Sequence, residues 1–189
     1  MSIESGNFIL LDTEFTAWEN SLRDNWSKEG EYMEIVQLAA IKVIDFNIVD
    51  HINLLIKPVL NPKLSKYFTN LTGITNKQLD NDGIRFEQAL HKFYNFCDKM
   101  DIYSYGNDFN IIKYNMNLYH IDYKKYYYWE NKFFDIKPFF NKFKIATNKY
   151  TSGSIYKITN QTFDDISIHN ALWDVKSILI AIKFLIKKN

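Results

Sequence analysis

Two carboxylates, Asp12 and Glu14, close the segment Phe8-Ile-Leu-Leu-Asp-Thr-Glu-Phe-Thr16. Four apolar residues precede them, so the segment reads as a short buried strand, Phe8–Leu11, that turns acidic at its end. Residues two apart on a strand point to the same face, and both acids therefore leave the strand end together. Carboxylates that close repel each other, and one is driven to hold a proton unless a cation relieves the conflict. Oxygen-rich sites of this kind suit hard divalent ions such as Mg²⁺ or Mn²⁺. Asp-x-Glu pairs are common on solvated surfaces, but a pair directly after Phe-Ile-Leu-Leu is not ordinary surface.

Two later segments can complete such a site. Asp108 ends Tyr103-Ser-Tyr-Gly-Asn-Asp108, just past a short strand, Ile102–Tyr105, and at the expected start of a helix. Taken alone it reads equally as a helix cap, a place that favours Asn and Asp. His169 opens His169-Asn-Ala-Leu-Trp-Asp174, where Asn170 can cap the last helix and Asp174 falls in its first turn. Alone, His169 reads as a loop histidine and Asp174 as an acid favoured by the helix dipole.

The elements that must position these residues follow from periodicity. Glu34–Ile44 is β-branched and apolar, and Ile52–Ile56 stops before Pro58, so with Phe8–Leu11 they predict an antiparallel three-strand meander. Helical spacing recurs at Phe86, Leu90, Phe93 and Cys97, over Asn110–Tyr119, in two short stretches (Asp135–Phe143 and Ser154–Asn160), and over Ala171–Lys187. The last of these ends in Lys187 and Lys188, as a helix C-terminus prefers. Residues 17–32 are polar, carry Trp18 and Trp26, and read as a long loop beside the acids. The sum is an α/β domain with a mixed sheet flanked by helices.

In chain order the chemistry-bearing residues read Asp-x-Glu, Asp, His-x-x-x-x-Asp. That pattern resembles the DEDDh 3′→5′ exonucleases of the ribonuclease H-like superfamily. Glu34-Ile-Val-Gln-Leu-Ala-Ala-Ile-Lys-Val43 is similar to the family's second strand, and Leu71-Thr-Gly-Ile-Thr75 to its Leu-Thr-Gly-Ile segment. The likeness runs from Phe8 to about Leu185 and is greatest to the small RNA-trimming branch. The resemblance implies a ribonuclease H-like mixed sheet and a metal-dependent 3′→5′ exonuclease that releases nucleoside 5′-monophosphates. It implies two Mg²⁺ or Mn²⁺ ions, roughly 3.5–4 Å apart as in two-metal phosphodiester hydrolysis. Asp12 would bridge them, Glu14 and Asp174 would complete one site, and Asp108 would hold the second. His169 would take the proton from the attacking water. Thr13, Phe15, Thr16, Leu71, Thr72 and Ile74 would contact the terminal nucleotide, with Leu71 or Ile74 as an apolar wedge; core packing is the competing reading of those two. The implied partner is the 3′ end of a single strand, RNA ahead of DNA. Other classes remain open: a non-catalytic binding module on the same fold, though none of the five positions is missing, or a phosphodiesterase acting on very short oligonucleotides.

Composition sets the outer bounds. The chain has 189 residues, is 47% hydrophobic and has a formal charge of +1, which suits one domain, residues 1–189, and says little about partners. Cys97 is the single cysteine, excluding an intrachain disulfide and, with no signal peptide, pointing to a reducing cytoplasm. No apolar run approaches the roughly 20 residues that cross a bilayer, so no membrane partner is expected. The Tyr126–Trp129 run has no counterpart in the family pattern, and the lysines at 124–125 and 142–149 read as solvated faces.

Overall fold

The computed structural model describes residues 2–129, 131–163 and 169–188. Five strands, β1 (Phe8–Phe15), β2 (Ile35–Ile44), β3 (Asn47–Leu55), β4 (Ile102–Ser104) and β5 (Phe133–Asp135), form one sheet in the order β3-β2-β1-β4-β5. The first three pair antiparallel, while β4 joins β1 and β5 joins β4 in parallel. The meander and the mixed sheet are as the sequence predicts. Among the described residues seven α-helices accompany it, besides short 3₁₀ segments: α1 (Ser21–Asp24), α2 (Lys66–Thr72), α3 (Asn76–Asp82), α4 (Phe86–Cys97), α5 (Asp108–Leu118), α6 (Lys137–Lys142) and α7 (Ala171–Lys187).

Strand alternation divides the core into two layers. Phe8 and Leu10 of β1 pack with Val175, Ile178 and Ile182 of α7. Ile9 and Leu11, on the other face, pack with Leu90 and Phe93 of α4 and Ile112 of α5. Trp129 is buried in this second layer against Phe93, Tyr94 and Tyr126. The Tyr126–Trp129 run thus anchors core packing through its two ends, while the side chains of Tyr127 and Tyr128 lie outside the described residues. Cys97 is buried in the same layer, and burial pushes its thiol pKa up, so it is an inert packing residue.

Three differences from the periodicity reading have physical causes. β3 begins at Asn47 rather than Ile52, because an edge strand exposed on its outer side tolerates the polar stretch Asn47–His51. β5 has three residues on the far edge, too few for any period to show. α2 and α3 are marked by caps instead of periodicity: Ser65 accepts the Phe68 N–H, and Thr75 with Gln78 forms a capping box. Among the described residues, no helix is long and apolar enough to cross a membrane.

Candidate active site

Asp12 and Glu14 continue the Phe8–Leu10 face of β1 and so point toward α7. A bulge in the β1–β2 pairing falls between Glu14 and Phe15, where the strand leaves the sheet and its last side chains are re-aimed. α7 brings Asp174 to meet them. Its start is fixed by Asn170, whose side chain accepts the Leu172 and Trp173 N–H groups, and by Gln37 of β2, which accepts the Ala171 N–H at 3.1 Å. Asp12, Glu14 and Asp174 each offer an oxygen, all within 4.8 Å of one another. Asp12 and Asp174 are only 7% and 2% exposed.

Asp108 arrives from the opposite side. Thr13 follows Ile9 and Leu11 on the α5 face of β1, and its backbone N–H and hydroxyl both donate to Asp108 Oδ1, at 3.0 and 2.7 Å. Asp108 therefore stands outside the three-acid group yet close enough to be felt. Burial raises the pKa of Asp12 well above its ordinary value, and the charges of Asp108, Asp174 and Glu14 add to it. Burial, with Asp174 and Asp108, lifts Glu14 to about 8. Burial lifts Asp174 to about 7, opposed by hydrogen bonds from the Ser152 hydroxyl and the His169 backbone. Asp108 is raised by burial and held back by Thr13.

Asp174 is clamped by residues that the sequence did not single out. Ser152 Oγ donates to its Oδ2 at 2.9 Å, and the Trp173 indole N–H donates to the Gly153 carbonyl at 2.9 Å. A Cβ at Gly153 would lie 2.3 Å from Asp174 Oδ1, so glycine is required by close approach. That Oδ1 is buried and has no hydrogen-bond partner among the described residues. An orphaned carboxylate oxygen beside two further acids fits a hard divalent cation, which would satisfy it and offset the mutual repulsion.

His169 flanks α7 with φ at +66°. It lines a cavity of about 270 Å³ together with Glu14, Phe15, Trp18, Trp26 and Leu71. Partial burial lowers its pKa below 6.5, so its imidazole is neutral near pH 7 and able to accept a proton. Of the six residues expected at the terminal nucleotide, Phe15 and Leu71 line this cavity. Thr13 is occupied by Asp108. Buried Thr16 bonds the Tyr32 carbonyl and the Glu34 N–H. Thr72 donates to the Phe68 carbonyl at 3.0 Å, and Ile74 packs with Val36, Phe68 and Leu79. Leu71 thus lines the cavity, and Ile74 is core. Trp18, Leu22, Trp26 and Tyr67 complete the walls; the two tryptophans in a polar loop were the only sequence signal for them.

A profile of the Exonuclease family matches residues 9–182, nearly the whole chain. The chain belongs to that family. Its relatives include the probable 3′-5′ exonuclease KapD of Bacillus subtilis, 28% identical over 120 residues that cover 62% of this chain and 56% of KapD. They also include the PolC-type DNA polymerase III of Thermotoga petrophila, 29% identical over 109 residues, which cover 58% of this chain and 7% of the polymerase. The chain thus spans little more than half of KapD's length and a small part of the polymerase. In three dimensions it is similar to the nuclease domain of 3′hExo, a DEDDh family member bound to rAMP. The TM-score there is 0.76, with 21% identity and coverage of 97% of this chain and 93% of that one. Exonuclease I of E. coli in complex with a dA16 oligonucleotide aligns at TM-score 0.67, with 16% identity over 97% of this chain and 41% of that one. The exonuclease family's mixed sheet with flanking helices is the fold of this chain.

Proposed function

We propose that this protein is a metal-dependent 3′→5′ exonuclease acting in the cytoplasm on single-stranded nucleic acid, RNA ahead of DNA. The observation that carries this reading is the gathering of Asp12, Glu14 and Asp174, one of whose buried oxygens (Asp174 Oδ1) has no hydrogen-bond partner among the described residues, at the edge of a cavity walled by apolar and aromatic side chains. Family membership, the name of KapD and the rAMP-bound nuclease support it in the same direction.

Asp12, Glu14 and Asp174 would hold divalent metal, with Asp108 completing the charge of the site from the α5 side. Mg²⁺ or Mn²⁺ bound there would supply positive charge to the phosphodiester in its transition state and would lower the pKa of a water. Thr13 fixes Asp108, and Ser152 with Gly153 fixes Asp174, so the acids are oriented before substrate arrives. His169, neutral and at the cavity wall, takes a proton from the attacking water. Phe15 and Leu71 bound the terminal nucleotide and admit one residue at a time, which gives release of nucleoside 5′-monophosphates.

The test uses 5′-labelled single-stranded RNA and DNA with Mg²⁺, Mn²⁺ or EDTA. Expected are stepwise shortening from the 3′ end, abolition by EDTA, and strong slowing by a 3′-phosphate. Efficient cleavage of circular strands, or equal rates in EDTA, would overturn the assignment.

A further inference from the structure

We propose that Lys137 holds the phosphodiester one nucleotide upstream of the bond that is cut, so that the enzyme favours longer strands over dinucleotides, which have only the scissile linkage. This rests on the exonuclease reading above and names how that site takes the rest of its substrate. β1, β4 and β5 run parallel, so all three end at one edge of the sheet, and ligands of open α/β sheets lie outside such carboxyl ends. The end of β1 carries Asp12 and Glu14, that of β4 leads through Gly106 to Asp108, and that of β5 leads to Lys137. β5 is two strands from β1, roughly 10 Å across the sheet at about 4.8 Å per strand. The cavity lies on the opposite, β2 side of β1, since Phe15 pairs with Ile35 and α2, which carries Leu71, packs on Val36 through Phe68. A strand whose last nucleotide fills that cavity has its remaining nucleotides across the acids, toward β4 and β5.

Lys137 is built into that edge. The Ile136 N–H donates to the Ser104 carbonyl and the Lys137 N–H to Asp135 Oδ1, both at 2.9 Å, which fixes its backbone beside the end of β4. Its ammonium lies 5.0 Å from the ring centroid of Tyr105, whose hydroxyl is tied to the Thr147 carbonyl at 2.9 Å. A Cβ built on Gly106 would stand 3.7 Å from Lys137 Nζ, so the cation sits over the turn that delivers Asp108. Apart from chain neighbours, no other described atom comes within 4 Å of that point, and the space beside the ammonium is open. Lys132, at the other end of β5, is spent on Asp101 at 2.9 Å, and Lys113 lies over Phe109. Lys137 has no ion-pair partner among the described residues. A cation held over a ring and not paired with an acid keeps its charge for an arriving anion, and a phosphodiester oxygen is the anion that a strand supplies there. Such a contact fixes the register of the strand and reads no base.

The experiment compares kcat/KM for a single-stranded oligonucleotide and for the same strand with a neutral methylphosphonate as the second linkage from the 3′ end. The scissile linkage is an ordinary phosphodiester in both. The parent protein should prefer the charged strand by about tenfold or more, as one charge-assisted hydrogen bond supports, whatever the bases. Lys137→Met keeps an unbranched side chain over Tyr105 and Gly106 without the charge, and should bring the ratio close to one. Lys137→Arg should keep most of it. The slope of log Kd against log salt should become shallower by about 0.7 in Lys137→Met, the share of one phosphate on a single strand. The proposal fails if the ratio is unchanged in a normally melting Lys137→Met, or if Arg behaves like Met, because the lysine then only braces Tyr105. It also fails if the ratio is near one in the parent, a measurement that needs no variant to fold. Equilibrium binding of the two strands in EDTA reads the same ratio without turnover. A protein that binds with that ratio yet shortens neither strand would sink the exonuclease reading and leave the Lys137 contact standing; one that shortens both strands alike would do the reverse.

Discussion

The cavity has two sides built in different ways. On the carboxylate side, Asp12 and Glu14 come from a central strand and Asp174 from the longest helix, and regular hydrogen bonding fixes each backbone. On the opposite wall, Trp18, Leu22 and Trp26 come from a loop with one short helix, fixed by side-chain hydrogen bonds and a strained backbone. The difference separates two demands. Placing mutually repelling acids needs elements too stiff to relax away from one another, whereas an uncharged apolar wall can be held by local contacts.

If that division is right, changes on the carboxylate side should abolish chemistry without loosening the fold. Asp12→Asn or Asp174→Asn should reduce nuclease activity to background in saturating Mg²⁺. Without metal, Asp12→Asn should melt at the same or a higher temperature, because the amide removes an ionisable group from a buried cluster of acids. Retained activity, or a clear fall in melting temperature, would show Asp12 to be a structural acid.

His169 stands where the two sides meet, and its replacement should be the next largest effect. His169→Ala should lower kcat by about 10²–10⁴-fold, the usual contribution of a positioned acid–base group. Mn²⁺ affinity by calorimetry should hardly change, since the imidazole is outside the three-acid group. Raising the pH should partly restore the variant, as hydroxide replaces the missing base. Near-normal turnover would leave catalysis to the carboxylates.

The clamp on Asp174 allows a finer cut. Ser152→Ala removes the donor to Oδ2, and Gly153→Ala drives a methyl group into Oδ1. Both should weaken Mn²⁺ binding by roughly 10–100-fold, as loss of groups that orient metal ligands commonly does. Ser152→Thr should recover most of the affinity. Equal affinity in all three variants would mean that α7 alone holds Asp174.

How far the sequence reached follows the same division. The acid pair was legible because strand alternation dictates where Asp12 and Glu14 point, whereas Asp108, His169 and Asp174 stood out only through the family pattern; the capped opening turn of α7 is what brings Asp174 to the pair. The metal-side supports were not. Ser152 and Gly153 lie in a 3₁₀ segment whose value is a contact with a residue more than twenty positions away, and no local period reports that. Thr13 was expected at the substrate from the family pattern alone, and strand alternation places it on the other face, where it donates to Asp108. Ile74 looked like a wedge beside Leu71, but α2 stops at Gly73 with φ +74°, and the chain reversal there turns Ile74 into the core. Within the loop of residues 17–32, only the presence of two tryptophans was informative; their direction depends on left-handed residues that are not glycine.

The smallest effect is a pH dependence of stability in the metal-free protein, and its sign tests the carboxylate side directly. Glu14 and Asp174 titrate near 8 and 7 in the folded chain, chiefly through burial, against 4.5 and 3.8 for the free groups. Their folded pKa values are raised, so the native state binds these protons more tightly than the unfolded state does. Stability must then fall as pH rises from about 4 through about 8, because the unfolded chain holds fewer protons over that window. Above the folded values the loss is complete and the curve flattens. In EDTA the melting temperature should therefore decline between pH 5 and pH 8.5. Saturating Mg²⁺ should remove most of the decline, since it favours the ionised acids in the folded state alone. In Asp174→Asn the metal-free slope should be shallower, while Trp26→Phe should leave it unchanged because that side chain carries no part of this charge. An EDTA profile that rises with pH over this range would mean that the acids are not coupled through burial, and the stiff framework of β1 and α7 would then have nothing to oppose.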